Sequence, residues 1–237
     1  MQVIKYSELL EYQRSLGTFS KAAQSELLHI WGQLSRMSIE DAREVLIASM
    51  EGLVTKYGDP AALMAAEFME RSLPTTMTRT FQPILSSGVT PEQIESEVRY
   101  AMGSWAKGLP EQTIATLLAA LARYVQYPAR QTVIDNARRH KKLRFARVPT
   151  GAKTCEFCLL LASRGFVYWS RENAGEFSRF HSHCDCLVIA GYADETEIAG
   201  YDPDDLYRRY REAQEQAKTN DLKGILKGYR HDQKEAN

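Results

Sequence analysis

SKAAQSELLHIWGQLSRM, residues 20–37, sets Ala23, Leu27, Ile30, Trp31, Leu34 and Met37 on one stripe. That three-and-four spacing is the signature of an amphipathic helix. The pattern repeats along the chain. Ser38, with Asp41 three residues on, forms a capping-box pattern that opens a second helix. It carries Val45, Leu46, Met50, Leu53 and Val54 inward, and Gly58 is expected to stop it. Asp59-Pro60 then reads as a cap and first helical residue, with a further helix to about Leu73 and a stop at Pro74. Residues 75–89 are rich in Thr, Ser and Gly and read as a connector. Thr90-Pro91 starts a helix with Ile94, Val98, Ala101, Met102 and Trp105 inward. Residues 110–126 give another, with Ile114, Leu117, Leu118, Leu121 and Val125. Pro128 should break it, leaving a short helix to about His140.

The texture changes after residue 140. RFARV at 144–148, FVYW at 166–169 and LVIA at 187–190 are short, β-branched or aromatic runs bounded by turn residues, and read as strands. Asp202-Pro203-Asp204-Asp205 caps a last helix bearing Leu206, Tyr210 and Ala213, with its acids at the positive end of the dipole. The final residues are polar and read as a frayed helix or tail. The expected fold is mostly α. A helical region at 1–140 precedes a small α+β module at 141–200, which holds a Cys/His cluster. A C-terminal helix and tail follow at 201–237.

The chain has 237 residues, 44% of them hydrophobic, enough for a core without covalent staples. Formal net charge is zero, so no global field draws the chain to nucleic acid or acidic membranes. The charges are segregated nonetheless. Arg138, Arg139, Lys141, Lys142, Arg144 and Arg147, with His140 among them, form a basic run. It is a candidate surface for nucleic acid or an acidic partner, against the plainer reading of a solvated loop. An acidic run occupies 194–205. The opening residues lack a signal-peptide core, and no stretch approaches the ~18 apolar residues of a membrane helix. A reducing cytoplasm is therefore expected, where clustered cysteines point to metal more often than to disulfides.

All four cysteines lie between 155 and 186: Cys155-Glu156-Phe157-Cys158, then His181-Ser182-His183-Cys184-Asp185-Cys186. A C-x2-C knuckle can aim both sulfurs at one zinc, about 2.3 Å away. Tetrahedral zinc takes four ligands and six candidates are present. Side chains alternate along an extended segment, so Cys184 and Cys186 need not both bind, nor His181 and His183. The favoured set is Cys155, Cys158, His181 and Cys184, with Cys186 competing for the last place. Such a closed site is structural. Reduced core cysteines, disulfides or a redox dithiol are the alternatives. The deaminase order H-x-E then P-C-x-x-C is not met, and H-E-x-x-H, a P-loop, G-x-S-x-G and G-x-G-x-x-G are absent.

Residues 144–192, RFARVPTGAKTCEFCLLLASRGFVYWSRENAGEFSRFHSHCDCLVIAGY, resemble the C-terminal module of phage head-morphogenesis (phage Mu F-like) minor head proteins, in the form found in tailed phages of actinobacteria. Thr154-Cys155 with Cys158, then Arg164-Gly165 and an apolar run, then His181, Cys184 and Cys186 before a strand, follow the module's order. Phe180 and Asp185 stand where many relatives carry proline and arginine. The resemblance implies a non-enzymatic minor head protein that associates with portal and other capsid proteins. It further implies a role in head assembly or DNA delivery, with possible contact to packaged DNA. Location would be the host cytoplasm during assembly, then the interior of the virion head. A zinc-ribbon-like nucleic-acid-binding protein is the alternative, and a metal- or thiol-dependent enzyme a more distant one.

Overall fold

The computed structural model describes residues 2–73, 81–151, 154–168, 186–193, 195–217, 221 and 224–226. Four long helices make up most of it: α1 (Tyr6–Gln33), α2 (Ile39–Ser72), α3 (Pro91–Trp105) and α4 (Pro110–Arg139). The mostly α class expected from the sequence is what the chain adopts. A short helix α5 (Glu156–Ala162) and a further helix α6 (Pro203–Ala217) follow. Strands β1 (Gln2–Ile4) and β4 (Thr196–Ile198) pair in parallel, while β2 (Arg144–Val148) and β3 (Leu187–Gly191) pair antiparallel.

The helix starts follow their caps. Ser38 Oγ accepts the Asp41 N–H at 3.1 Å, and Thr90 and Gln93 close a reciprocal capping box. Asp202 Oδ1 accepts the N–H groups of Asp204 and Asp205, both at 3.0 Å.

The expected breaks at Gly58 and Pro128 do not occur. α2 continues through Pro60 and α4 through Pro128. A proline inside a helix costs about 3 kcal/mol. Here the two long helices pack along each other, and the suspected breakers meet at their crossing. A Cβ on Gly58 would lie 3.0 Å from Pro128 Cγ. Glycine opens the space and the proline ring fills it, so burial along both helices outweighs the local penalty. α1 likewise starts at Tyr6, well before the stripe at 20–37, and buries Leu9, Tyr12 and Leu16 in the same frame.

Among the described residues, two large apolar clusters fill most of the interior, and a small third one joins Leu159 of α5 to Ala213 of α6. One gathers Leu27, Leu46, Met50, Val98, Met102, Leu117 and Leu121 between α1, α2, α3 and α4, with Trp31 and Trp105 at its edge, ring centroids 4.7 Å apart. The other large one joins the far ends of α1, α2 and α4 to the strands. It includes Tyr12 stacked on Phe68, with Ala129, Val133, Phe145, Val148, Val188 and Ile189. Packing is therefore continuous across residue 140. The module after it is built onto the base of the bundle.

Of the third expected strand, 166–169, Trp169 lies outside the described residues; among those described, Tyr168 forms a bridge to Phe145. The β1–β4 pair was not anticipated. It brings Ile4, 1% exposed, onto the module that follows α4. Gly191, at the end of β3, admits no side chain, since a Cβ there would stand 2.7 Å from a Phe166 ring carbon.

The connector leading to α3 crosses α4 as an extended strap. Ile84 N–H donates to Asn136 Oδ1 at 2.9 Å, and Asn136 Nδ2 donates to Ile84 O at 2.7 Å. Ser86 N–H donates to Thr132 Oγ1 at 3.1 Å. Buried side chains of α4 thus take the place of a neighbouring strand. Asn136→Ala leaves both polar groups of Ile84 without their partner. It is expected to cost about 2 kcal/mol in urea unfolding and to release the Ile84 amide to rapid hydrogen exchange. An unchanged exchange rate would mean that the strap is held by other contacts.

Candidate functional site

β2 and β3 form the floor of the cysteine-bearing lobe, with Val148 opposite Leu187 and Arg147 opposite Val188. Cys186 immediately precedes β3 and is fully buried. On the other side, the C-x2-C pair opens α5. Cys155 is the N-cap, and its Sγ accepts the N–H of Cys158 at 3.4 Å. Sulfur does here what a serine oxygen does in an ordinary cap. Opening a helix is a feature this knuckle shares with redox dithiols, but the flanking strands are antiparallel and do not form a βαβ unit. Two tyrosines tie the last turn of α5: Tyr168 OH donates to Leu161 O at 3.1 Å, and Tyr201 OH to Ala162 O. The chain then turns at Gly165, whose φ of +63° suits glycine.

Arg147 occupies the middle of this lobe. It was expected on the surface with the basic run, but it is 3% exposed. Its Nη2 lies 2.9 Å from Cys186 Sγ and 3.7 Å from Cys158 Sγ. Cys158 is also fully buried. The strand reading of RFARV carried the signal, since β2 is buried on both faces from Phe145 to Val148 and takes Arg147 inside with them. Read as a strand, Arg147 leaves the surface run; read as part of a charge run, it does not.

The remaining four-position basic surface is built at the end of α4. Arg138, Arg139, Lys141 and Lys142 are exposed. Arg138 lies 3.9 Å from Asp135, and Arg138 and Arg139 sit in the last turn, where cations complement the helix dipole. Arg144 is half-buried, with Nη1 donating to the carbonyls of Lys141 and Leu143. On the acidic side, Asp205 pairs with Arg208 and Arg209, so part of that run is internal to α6.

His181, His183 and Cys184 lie outside the described residues. Among the described residues, no three Cys, His, Asp or Glu side chains stand together closely enough to hold an ion. The three described sulfurs are soft donors of the type zinc takes; Cys158 and Cys186 are buried beside Arg147 Nη2, and Cys155 is partly exposed.

Burial pushes the phenols of Tyr168 and Tyr201 above the ordinary tyrosine range, Tyr201 well above it. A raised folded-state pKa contributes stability that is complete below the unfolded value, about 10, and lost as pH climbs above it. Urea midpoints should therefore be insensitive to these groups up to about pH 10 and fall beyond it, more steeply in the wild type than in Tyr201→Phe. Equal slopes in the two proteins would contradict this.

A helical bundle carrying a small cysteine-centred lobe defines the class of protein. The chain belongs to the VG15 protein family, whose match extends over residues 3–213. It is similar to the Gene 15 protein of Mycobacterium phage L5, 28% identical over 120 residues, and to the Gene 15 protein of Mycobacterium phage D29, 26% identical over 112 residues. Each alignment covers 34% of this chain and 41% of the relative, so well under half of each curated relative is spanned. No solved structure matches. The chain is thus a phage protein. Among the described residues, no helix is long and apolar enough to cross a membrane.

Proposed function

We propose that the chain is a non-enzymatic minor head protein that acts in procapsid or portal assembly, or in DNA delivery. On this reading it works in the host cytoplasm during assembly and then inside the virion head. The observation that carries the reading is the family match over 3–213, with two phage relatives, on a chain whose 144–192 segment has the Cys/His order of a head-morphogenesis module. The helical bundle supplies long outer faces for portal and other capsid proteins. The lobe is a structural anchor, with zinc as its proposed ion. Deleting the gene tests the role: the expected result is aberrant or empty heads, restored by the gene in trans. Wild-type yields of DNA-filled, infectious heads from the deletion would reject it.

The exposed Arg138, Arg139, Lys141 and Lys142 favour a second reading, direct contact with DNA. Such binding would weaken steeply with salt, in proportion to the phosphates contacted. Reversing these four charges should then abolish it. DNA affinity unchanged by the reversal would leave the surface to a protein partner or to solvent.

A further inference from the structure

We propose that the groove between α1 and α4, at the start of β3, binds a phosphate group. The groove opens into a cavity of about 400 Å³. One wall is a face of α1. Arg14 and Lys21 line it, two helical turns and about 10 Å apart along the axis. Gly17 stands between them, three residues from one and four from the other, so all three share that face. Nothing lies within 4 Å of the place a Gly17 Cβ would take. Packing therefore does not demand glycine here, although in mid-helix it is less stable than alanine. The missing side chain leaves open space between two cations, where a ligand can approach the backbone closely. Among the described residues, Arg14 donates from Nε to Leu10 O at 3.2 Å, while its Nη groups and Lys21 Nζ have no acceptor. No carboxylate among those residues lines the cavity.

The opposite wall belongs to α4. Gln126 lines it with a side-chain amide fixed at both ends. Its Oε1 accepts from Arg130 Nη2 at 2.9 Å, and its Nε2 donates to Ser20 Oγ at 3.2 Å. Arg130 is 6% exposed, so a permanently charged guanidinium stands behind this wall. Leu16 and Leu187, both buried, add an apolar surface. The charged groups that line the cavity are thus N–H donors. A phosphate oxyanion suits them: the guanidinium fork can grip two of its oxygens, and the ammonium acts as a point charge. The cavity is larger than a bare ion and falls in the range of small-ligand pockets. With the two leucines, that size calls for a phosphate ester of nucleotide dimensions, free or within a DNA strand. This surface is separate from the exposed cations at 138–142 and is tested apart from them.

Glycine-selective isotope labelling of the full-length chain makes the Gly17 amide visible by NMR, and Gly17→Ala identifies its signal by removing it. Titration with inorganic phosphate and with deoxyadenosine monophosphate should move that signal saturably, the nucleotide at lower concentration. Deoxyadenosine, which lacks the phosphate, should leave it in place. Arg14→Gln and Lys21→Gln should each weaken nucleotide binding by about 10-fold, the effect of one charge-assisted bond. Gly17→Gln keeps both cations but fills the gap between them, and should also weaken binding by about 10-fold. Charge reversal at Arg138, Arg139, Lys141 and Lys142 should leave the titration unchanged. A short DNA duplex separates the two sources of phosphate. A duplex that moves the Gly17 signal and is displaced by the nucleotide assigns the site to the DNA backbone, whereas a response to the nucleotide alone assigns it to a free phosphate ester. A Gly17 amide that neither phosphate nor nucleotide moves overturns the proposal. Nucleotide affinity unchanged in a folded protein carrying both Arg14→Gln and Lys21→Gln overturns it as well.

Discussion

If the lobe holds the proposed zinc, stripping it with a chelator is expected to melt the cysteine lobe while leaving the upper bundle folded. The strands of the lobe share the lower apolar cluster with the bundle, but no residue of α5 belongs to it. Among the described residues the lobe's antiparallel sheet has two strands, β2 and β3, and such a pair is marginal by itself. α5 is a helix of seven residues. A structural zinc site contributes on the order of 10 kcal/mol, comparable to the whole stability of a typical domain. The bundle around Leu117 and Met50 belongs to a separate apolar cluster and should survive. Hydrogen exchange separates the two. The Phe145 amide, which donates to Tyr168 O at 2.8 Å, should lose protection, whereas amides of α4 near Leu121 keep theirs. A Phe145 amide that remains protected after complete zinc loss would argue that packing alone holds the lobe.

Leu117→Ala is expected to cost about 3–4 kcal/mol, the range for a leucine removed from a closed core. Leu117 is fully buried in the cluster with Val98, Met102 and Leu121. α4 packs against α1, α2 and α3, so three helices border the vacated space and none can collapse into it alone. The comparison is Leu63→Ala, where the side chain is 50% exposed and the change should stay within about 0.5 kcal/mol. Urea unfolding with an unchanged m-value reads both, and the melting temperature of Leu117→Ala should fall by about 10 °C. A loss below about 1 kcal/mol would show that the helices repack around the gap.

Helical stripes and caps could be read without tertiary information. Ser38, Thr90 and Asp202 open helices because their side-chain oxygens satisfy amides within the same turn. Ile94, Val98, Ala101 and Met102 face inward because their spacing matches the helical period. The β2 and β3 runs were also visible, as short apolar segments between turn residues. The cysteine window marked the site, and C-x2-C marked its knuckle.

The remaining features depend on partners distant in sequence. Gly58 and Pro128 look like stops by local rules, yet each is accommodated by the other across a helix crossing. β1 has three residues and gains its identity only by pairing with β4, nearly the whole chain away. Arg147 belongs by composition to a surface run and by strand register to the interior. Sequence alone determined the helices, their caps and the concentration of sulfur in one window, because these are set by residues within a turn or two of each other. Only the tertiary structure decided that two prolines lie inside helices, that the N-terminus closes on the lobe, and that a buried guanidinium lies against the sulfurs. Those outcomes are set by burial between distant segments, whose free energy outweighs local preference.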